Sequence, residues 1–518
     1  MINDHHWCDL KLVESKDRFD AVIVGSGFGA AGVAHCLVKA GLKVLIVERG
    51  DWAHRDQDDW NPQRILIKSR YLGPETMDVK QYQARDFKET SFNETVGGMS
   101  VFYGGASFRL RERDFDHWPL RYKDFAPYFD EAEELLGIHG QRDLDPKDPP
   151  RSRGFPFPPL PYNPPAQRIQ KAALSLGLNP FPVPMSLNHY DKQKPICIQC
   201  TTCDGYPCKV NAKGEASRLI SEIQGPNLLV LTGAQASRFI ESDGRIQSLE
   251  YINRRTGQRH QVSAPLFVLS AGSLWSPSLI QRSFPNRSDK AFQLVGKNLM
   301  RHCNGIQSFV FPFRTNPHHH FHKQIGVMDF YDDLRDQLKT ATGVIQDIYT
   351  PSQNVVEHFA PRGLKMAAGL FSSYIQSLLC VAEDDPQLSN QIRLSKRRDQ
   401  FGDERIEITH RYSENDYLRR DYLLKRAKTI LRRAGGLIPR LMEIDSFSHA
   451  VGTMKFGASE SSSALDLHCR LRGARNLYVV DGSFMPTSAG VNPSLMILAN
   501  ALRVGRFLIQ EGRDQWAA

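Results

Sequence analysis

Residues 20–48 constrain the fold more than any other stretch of the chain. Asp20-Ala-Val-Ile-Val24 is a short, β-branched apolar run, which predicts a buried strand of a parallel sheet. Gly25-Ser-Gly27-Phe28-Gly29-Ala30-Ala31-Gly32 follows at once. Ala30 to Ala40 then carries small and apolar residues at helical spacing, with a stop at Gly41. Lys43-Val-Leu-Ile-Val47 predicts the next strand, and Glu48 closes it. Each residue of this βαβ unit has a physical task. Gly25 permits a tight turn, Gly27 lets backbone approach a pyrophosphate, and Ala30 stands where helix and strand must pack closely. Phe28 and Gly29 open a helix whose free N–H groups and positive dipole end suit phosphate. A carboxylate about 20 residues beyond the loop, as at Glu48, grips a ribose hydroxyl and favours FAD or NAD over a 2′-phosphorylated cofactor. Arg49 adjoins it and joins the candidate cofactor-binding set.

The rest of the chain bounds what this unit belongs to. A length of 518 residues exceeds one ordinary core of about 100–200 residues. Apolar residues make up 41% and charged residues 24%, ordinary globular usage that excludes collagenous, coiled-coil or wholly disordered chains. The net charge of +9 is small for the length and forms no long basic block, so no nucleic-acid partner is expected. No apolar run reaches the roughly 18 residues of a membrane helix. The opening MINDHHWCDLKLVESKD lacks a basic stretch before an apolar core, so no secretory signal is expected. Cys8, Cys36, Cys303, Cys380 and Cys469 are scattered, which fits buried thiols in a reducing, cytoplasmic setting.

The proline-dense stretch Pro146 to Pro165 predicts an extended connector, followed by a helix from Ala166 to Leu176. Strands are expected at Asn227–Leu231, Arg245–Ile252, Leu266–Ser270 and Asn476–Val480. A helix starts near Ser413, an N-cap with Asp416 three residues on. Leu423, Ala427, Ile430 and Ala434 fall on its inner face, and its Arg and Lys residues are expected to face outward. A last helix is expected from about Pro493. The expected class is mixed α/β. A discontinuous Rossmann-like dinucleotide domain is assembled from 15–130, 205–300 and 446–518. A connector with a Cys-rich segment spans 131–204, and an inserted substrate-binding domain spans 301–445.

Two further segments narrow the function. One is Val96-Gly-Gly98-Met99-Ser100-Val-Phe102-Tyr-Gly-Gly-Ala106. The other runs from Ser448-His449-Ala-Val-Gly452-Thr453 to Asp481-Gly482-Ser483 and Pro486-Thr-Ser488-Ala-Gly490-Val-Asn492-Pro493. With Leu269-Ser-Ala271-Gly272, Ser276-Pro277 and Ala382-Glu383 to Pro386, these resemble the glucose–methanol–choline family of FAD-dependent alcohol oxidoreductases, in order and spacing over nearly the whole chain. The GGMS form is most similar to pyranose-oxidase-like members. The resemblance implies that His449 is the catalytic histidine and Asn492 the second active-site position. It implies that Gly98, Met99 and Ser100 run beside the isoalloxazine, and that Asp481 and Gly482 bind the pyrophosphate and ribityl region. Asn492 and Pro493 are implied near the flavin ring, and Ala236 near adenine. His302 falls where members of the family pass close to the active site. The glycine-rich segment has no histidine between Gly97 and Phe108, and Phe102 stands where some members carry FAD covalently. FAD is therefore expected to bind non-covalently.

The chemistry can also be argued without the family. Hydride leaves an alcohol carbon more easily once the hydroxyl proton is departing, and a neutral imidazole can take that proton. An amide can hold the alkoxide oxygen. The expected reaction is therefore oxidation of a primary or secondary alcohol to a carbonyl, and the resemblance to pyranose-oxidase-like members implies a sugar, glycoside or polyol as substrate. Oxygen or another acceptor would take the electrons. Two alternatives stay open: a flavin-containing electron-transfer subunit and an enzyme for a fatty substrate. Cys197-x2-Cys200-x2-Cys203-x4-Cys208 could hold an iron–sulfur cluster or zinc, or consist of structural thiols or a disulfide. His318, His319, His320 and His322 read as a polar loop.

Overall fold

The computed structural model describes residues 18–81, 88–200, 203–223, 225–321, 323–350, 352–360, 362–363, 365–444 and 446–510. Cys8, His322 and the opening segment lie outside the described residues. A five-stranded parallel sheet forms the base of the molecule, in the order Leu477–Val479, Leu266–Leu269, Ala21–Val24, Val44–Val47, Leu228–Leu231. Every strand named so far was expected, to within about two residues, from its apolar run. Ala21–Val24 lies between its neighbours with Ala21 paired to Leu266 on one side and Val44 on the other, and all four of its side chains are buried. Full burial on both faces is why these strands read as unbroken hydrophobic runs. Helix Phe28–Lys39 follows the first strand and packs against helix Ser494–Gln510, the expected C-terminal helix.

A six-stranded sheet stands beside it, ordered Ile438–Glu443, Gly305–Val310, Ile375–Ala382, Gly343–Ile348, Ile325–Val327, Pro180–Pro182. All its pairings are antiparallel. Pro180–Pro182 holds its edge, where a missing N–H costs no ladder bond. Helices Pro164–Ser175 and Glu414–Arg433 cover one face, burying Ala166, Ile169, Leu423, Ala427 and Ile430 against Phe309, Ile345 and Leu378. The start of the second helix is as expected: Ser413 Oγ accepts from the Asp416 N–H at 3.1 Å, and Asp416 accepts from the Ser413 N–H at 2.6 Å. One expectation for this helix is corrected. Arg419 does not face outward; it is wholly buried, donating to Asp385 at 2.7 Å and Asp416 at 3.0 Å. The helix amphipathicity predicted a solvated basic face, but Asp416 one turn back on the helix and Asp385 from a facing segment capture this guanidinium.

Two smaller sheets complete the fold. Gln391–Arg398 and Glu404–His410 pair with Met77–Gln81 and Lys88–Thr90, so the early and late thirds of the chain share one sheet. Ala234–Ser242, Arg245–Asn253 and Arg259–Val262 form a meander beside the parallel sheet. Among the described residues, no helix is long and apolar enough to cross a membrane.

Candidate active site

One elongated cavity of about 560 Å³ runs from the parallel sheet to the antiparallel one. Gly25, Gly27, Phe28 and Gly29 line its inner end, with Glu48 and Arg49 beside them and Ala236 and Ala271 nearby. Gly25 adopts φ +87°, and a Cβ there would lie 2.4 Å from the Ser270 carbonyl oxygen, so only glycine fits this turn. Beside Gly27 the space is open, with nothing within 4 Å of where a Cβ would sit. A phosphate could approach there, at the start of helix Phe28–Lys39. Ala30 is the exception in the candidate set. It lies in the hydrophobic core behind the loop, because the third small position of the fingerprint serves packing.

Ser26 ties this end together. Its Oγ donates to Glu48 at 2.6 Å and accepts from the Gly97 N–H at 2.9 Å. The Gly50 N–H donates to the other Glu48 oxygen at 2.8 Å. Burial raises the Glu48 pKa, and these donors oppose the rise. Arg49 is held by Glu94 at 2.8 Å and by Glu75, with its guanidinium 4.1 Å over the Trp275 ring. Burial pushes it down to about 10, and its Nε has no hydrogen-bond partner. The 3₁₀ turn Gly98–Val101 brings Gly98, Met99 and Ser100 to the cavity wall, and Ser100 Oγ closes the turn on the Gly97 carbonyl at 2.6 Å. Asp481 and Gly482 also line the cavity. Asp481 accepts from the Gly272 N–H at 2.9 Å and the Ser276 hydroxyl at 2.5 Å, which fixes the carboxylate beside the glycine loop. The size of the cavity, the open helix start and the carboxylate at the strand end all suit a dinucleotide.

His449 and Asn492 meet at the outer end. Asn492 Nδ2 lies 3.4 Å from His449 Nε2, and both line the cavity with Pro493. Gln346 Nε2 donates to Asn492 Oδ1 at 3.1 Å, which turns the Asn492 amide N–H toward the histidine. On the far side of the ring, His449 Nδ1 lies 2.9 Å from His302 Nδ1. Burial, then the neighbouring His302 and Lys323, pushes the His449 pKa down to about 3, so its imidazole is neutral across the working range. A neutral, oriented imidazole beside an amide donor can take a hydroxyl proton while the amide holds the oxygen.

Sequence reasoning did not find the polar pair that faces them. Lys323 Nζ donates to Asp204 Oδ1 at 2.5 Å, and both residues line the cavity with Asn304. Gly104 leaves room for the pair: a Cβ there would lie 1.8 Å from the Asp204 carboxylate oxygen. Asp204 sits between Cys203 and Gly205, so the cysteine-rich segment reaches the site through a carboxylate. Lys323 ends the loop that carries His318, His319 and His320. Neither segment carries a periodic signal that would have pointed to this role.

Among the described residues, no three His, Cys, Asp or Glu side chains are grouped to hold a metal ion. The Cys197 sulfur accepts from the Gln199 N–H at 3.4 Å, and that of Cys208 from the Ala212 N–H at 3.3 Å. Burial pushes the Cys197 thiol up to about 12 and Cys203 higher still, which favours thiol over thiolate. No disulfide joins the described cysteines.

Comparison with known proteins agrees with this architecture. Two profiles of the GMC oxidoreductase family match residues 85–304 and 386–501. The chain is 29% identical to 6'''-hydroxyparomomycin C oxidase of Streptomyces lividus, covering 94% of this chain and 91% of that protein. It is also 29% identical to paromamine 6'-oxidase of Streptomyces fradiae, covering 94% and 90%. Among solved structures, a formate oxidase from Aspergillus oryzae, studied for modification of its FAD, superposes with a TM-score of 0.70 at 14% identity, covering 96% of this chain and 99% of that one. With matched profiles at both ends of the chain and a shared fold over nearly all of it, this protein belongs to the GMC oxidoreductase family.

Proposed function

We propose that this chain is an FAD-dependent oxidoreductase that converts an alcohol carbon of a sugar-like substrate to a carbonyl, with His449 as base and Asn492 as oxygen-binding amide. The observation that carries this reading is the convergence of His449 and Asn492, 3.4 Å apart, on a cavity whose other end is the open glycine loop. FAD bound along that cavity would supply the hydride acceptor. Gly27, the start of helix Phe28–Lys39, Glu48 and Asp481 would hold it, and Gly98 to Ser100 would border its ring. Binding is non-covalent in this reading, since Phe102 occupies the relevant wall. The region of the parallel sheet, 15–130, 205–300 and 446–518, serves the cofactor, and 301–445 shapes the substrate end.

The chain's own residues divide the work. His449 Nε2 takes the hydroxyl proton, and Asn492 Nδ2 donates to the oxygen as its negative charge grows. The O–H bond pair stays on oxygen and becomes the second bond of the carbonyl as the carbon loses hydride. Lys323 and Asp204 offer a donor and an acceptor to further hydroxyl or amino groups of the substrate, which favours a sugar, glycoside or polyol over a fatty alcohol. The names of the two Streptomyces relatives point the same way. Oxygen is the first electron acceptor to try, and the thiols suit a cytoplasmic setting.

Anaerobic mixing with paromamine, simple sugars, diols and long-chain alcohols tests this. Bleaching of the flavin band by a polyhydroxylated alcohol is the expected result. Protein purified without flavin, or bleaching by long-chain alcohols alone, would contradict the reading.

A further inference from the structure

His302 lies behind His449, away from the cavity, yet its setting is unusually constrained. Its backbone takes φ +59°, a left-handed conformation that a residue with a bulky side chain keeps only where its surroundings hold it. The surroundings do hold it: the His302 N–H donates to Asp384 at 3.0 Å, and its carbonyl accepts from the Tyr412 hydroxyl at 2.7 Å. Its ring is buried. Nε2 faces two carbonyl oxygens, Ala489 at 2.8 Å and Ser488 at 3.1 Å, and Ala489 itself has φ +55°. Ser488 is anchored in turn by donating to Asp384 at 2.7 Å.

These contacts dictate proton positions. A carbonyl can only accept, so His302 Nε2 must carry hydrogen. Burial favours the neutral ring, which leaves His302 Nδ1 as a bare acceptor. His449 Nδ1, 2.9 Å away, must then carry hydrogen and donate. A neutral His449 therefore has its lone pair on Nε2, the nitrogen that faces Asn492 and the cavity. The hydrogen bonds run one way, from Gln346 through Asn492, His449 and His302 to the Ala489 carbonyl.

We propose that His302 is a positioning residue that sets the tautomer of His449, by accepting its Nδ1 hydrogen and so leaving Nε2 free to take the substrate proton. The inference rests on the assignment of His449 as the base. Asp384, Arg301, His410 and Tyr412 are the other polar or titratable groups around His302, and Lys323 acts on His449 from the cavity side.

Two near-isosteric variants of the holoenzyme separate this role from packing. His302→Asn keeps an acceptor oxygen where Nδ1 was, while His302→Gln keeps a donor where Nε2 was and removes the acceptor. The rate of flavin reduction is expected to fall about 100-fold or more in His302→Gln, up to the roughly 10⁴-fold loss that a wrong histidine tautomer causes in a catalytic triad. His302→Asn is expected to recover most of that loss. Nitrogen-15 spectra of histidine-labelled protein, without substrate, give an independent reading. His449 should be hydrogenated at Nδ1 in the wild type and His302→Asn, and at Nε2 in His302→Gln. Equal loss in both variants, or a His449 tautomer that does not change, would overturn the proposal. A correct tautomer pattern in an enzyme that oxidises no alcohol would leave the proton assignment standing and sink the proposed function instead.

Discussion

At the scale of single residues, neutrality and direction matter more than identity. His449 is held near a pKa of about 3 by burial and by the cationic Lys323, against an ordinary imidazole value of about 6.5. The imidazole is therefore unprotonated through the neutral range. We expect kcat/KM to be level between about pH 6 and 8 and to decline only below the ordinary imidazole range. Steady-state rates across pH check this, and an acid limb centred near 6.5 would contradict it. His449→Ala should slow anaerobic flavin reduction by about 10²–10⁴, the usual contribution of a general base. Asn492→Ala should also slow it, while flavin content, read after acid release, stays at wild-type level in both. Lys323 and Asp204 mark the limit of motif reading at this scale, since a lysine after a histidine tract and an aspartate among cysteines carry no recognisable spacing.

At the scale of elements, capping and buried charge decide how the antiparallel sheet and its covering helices are built. The Ser413–Asp416 capping box was visible in the chain because both partners lie in one turn. The burial of Arg419 was not, because its partner Asp385 comes from a segment that only the fold brings beneath the helix. Replacing it takes the cation away from the buried Asp416 and the partly exposed Asp385, which keep only backbone and hydroxyl donors. Arg419→Ala is expected to cost about 3–5 kcal/mol of stability, read as a lower denaturation midpoint with unchanged slope. A loss below 1 kcal/mol would show that water or another cation takes its place. The edge strand Pro180–Pro182 was hidden for a different reason: its prolines argue against any central strand, and only its edge position makes them harmless.

At the scale of the whole molecule, the buried His139 and the half-buried His189, both away from the cavity, couple stability to pH. His139 and His189 lie 5.4 Å apart, and burial lowers them to about 3 and about 4. In the unfolded chain each would take a proton near pH 6.5. The unfolded state therefore binds more protons below that value, so stability is full above about pH 6.5 and falls as pH drops toward the folded values. Thermal melting across pH should show this decline, and His139→Phe should flatten it. Added FAD should raise the melting temperature of flavin-depleted protein, because a ligand that binds only the folded state shifts the balance toward it.

The dinucleotide unit was legible at 20–48 because each of its demands is local: a turn that needs Gly25, a strand of β-branched residues, an acid at its end. The ends of the parallel strands, the caps and the motif positions His449 and Asn492 were likewise contained in short stretches. The sequence by itself thus determined the fold class and the chain positions of the glycine loop, His449 and Asn492. Only the tertiary structure decided how they act on one another. His302 meets His449 across 147 residues, Gln346 meets Asn492 across 146, and Lys323 meets Asp204 across 119. Proton positions depend on those encounters, because which nitrogen carries hydrogen is set by what lies within bonding distance in space and leaves no trace in residue spacing.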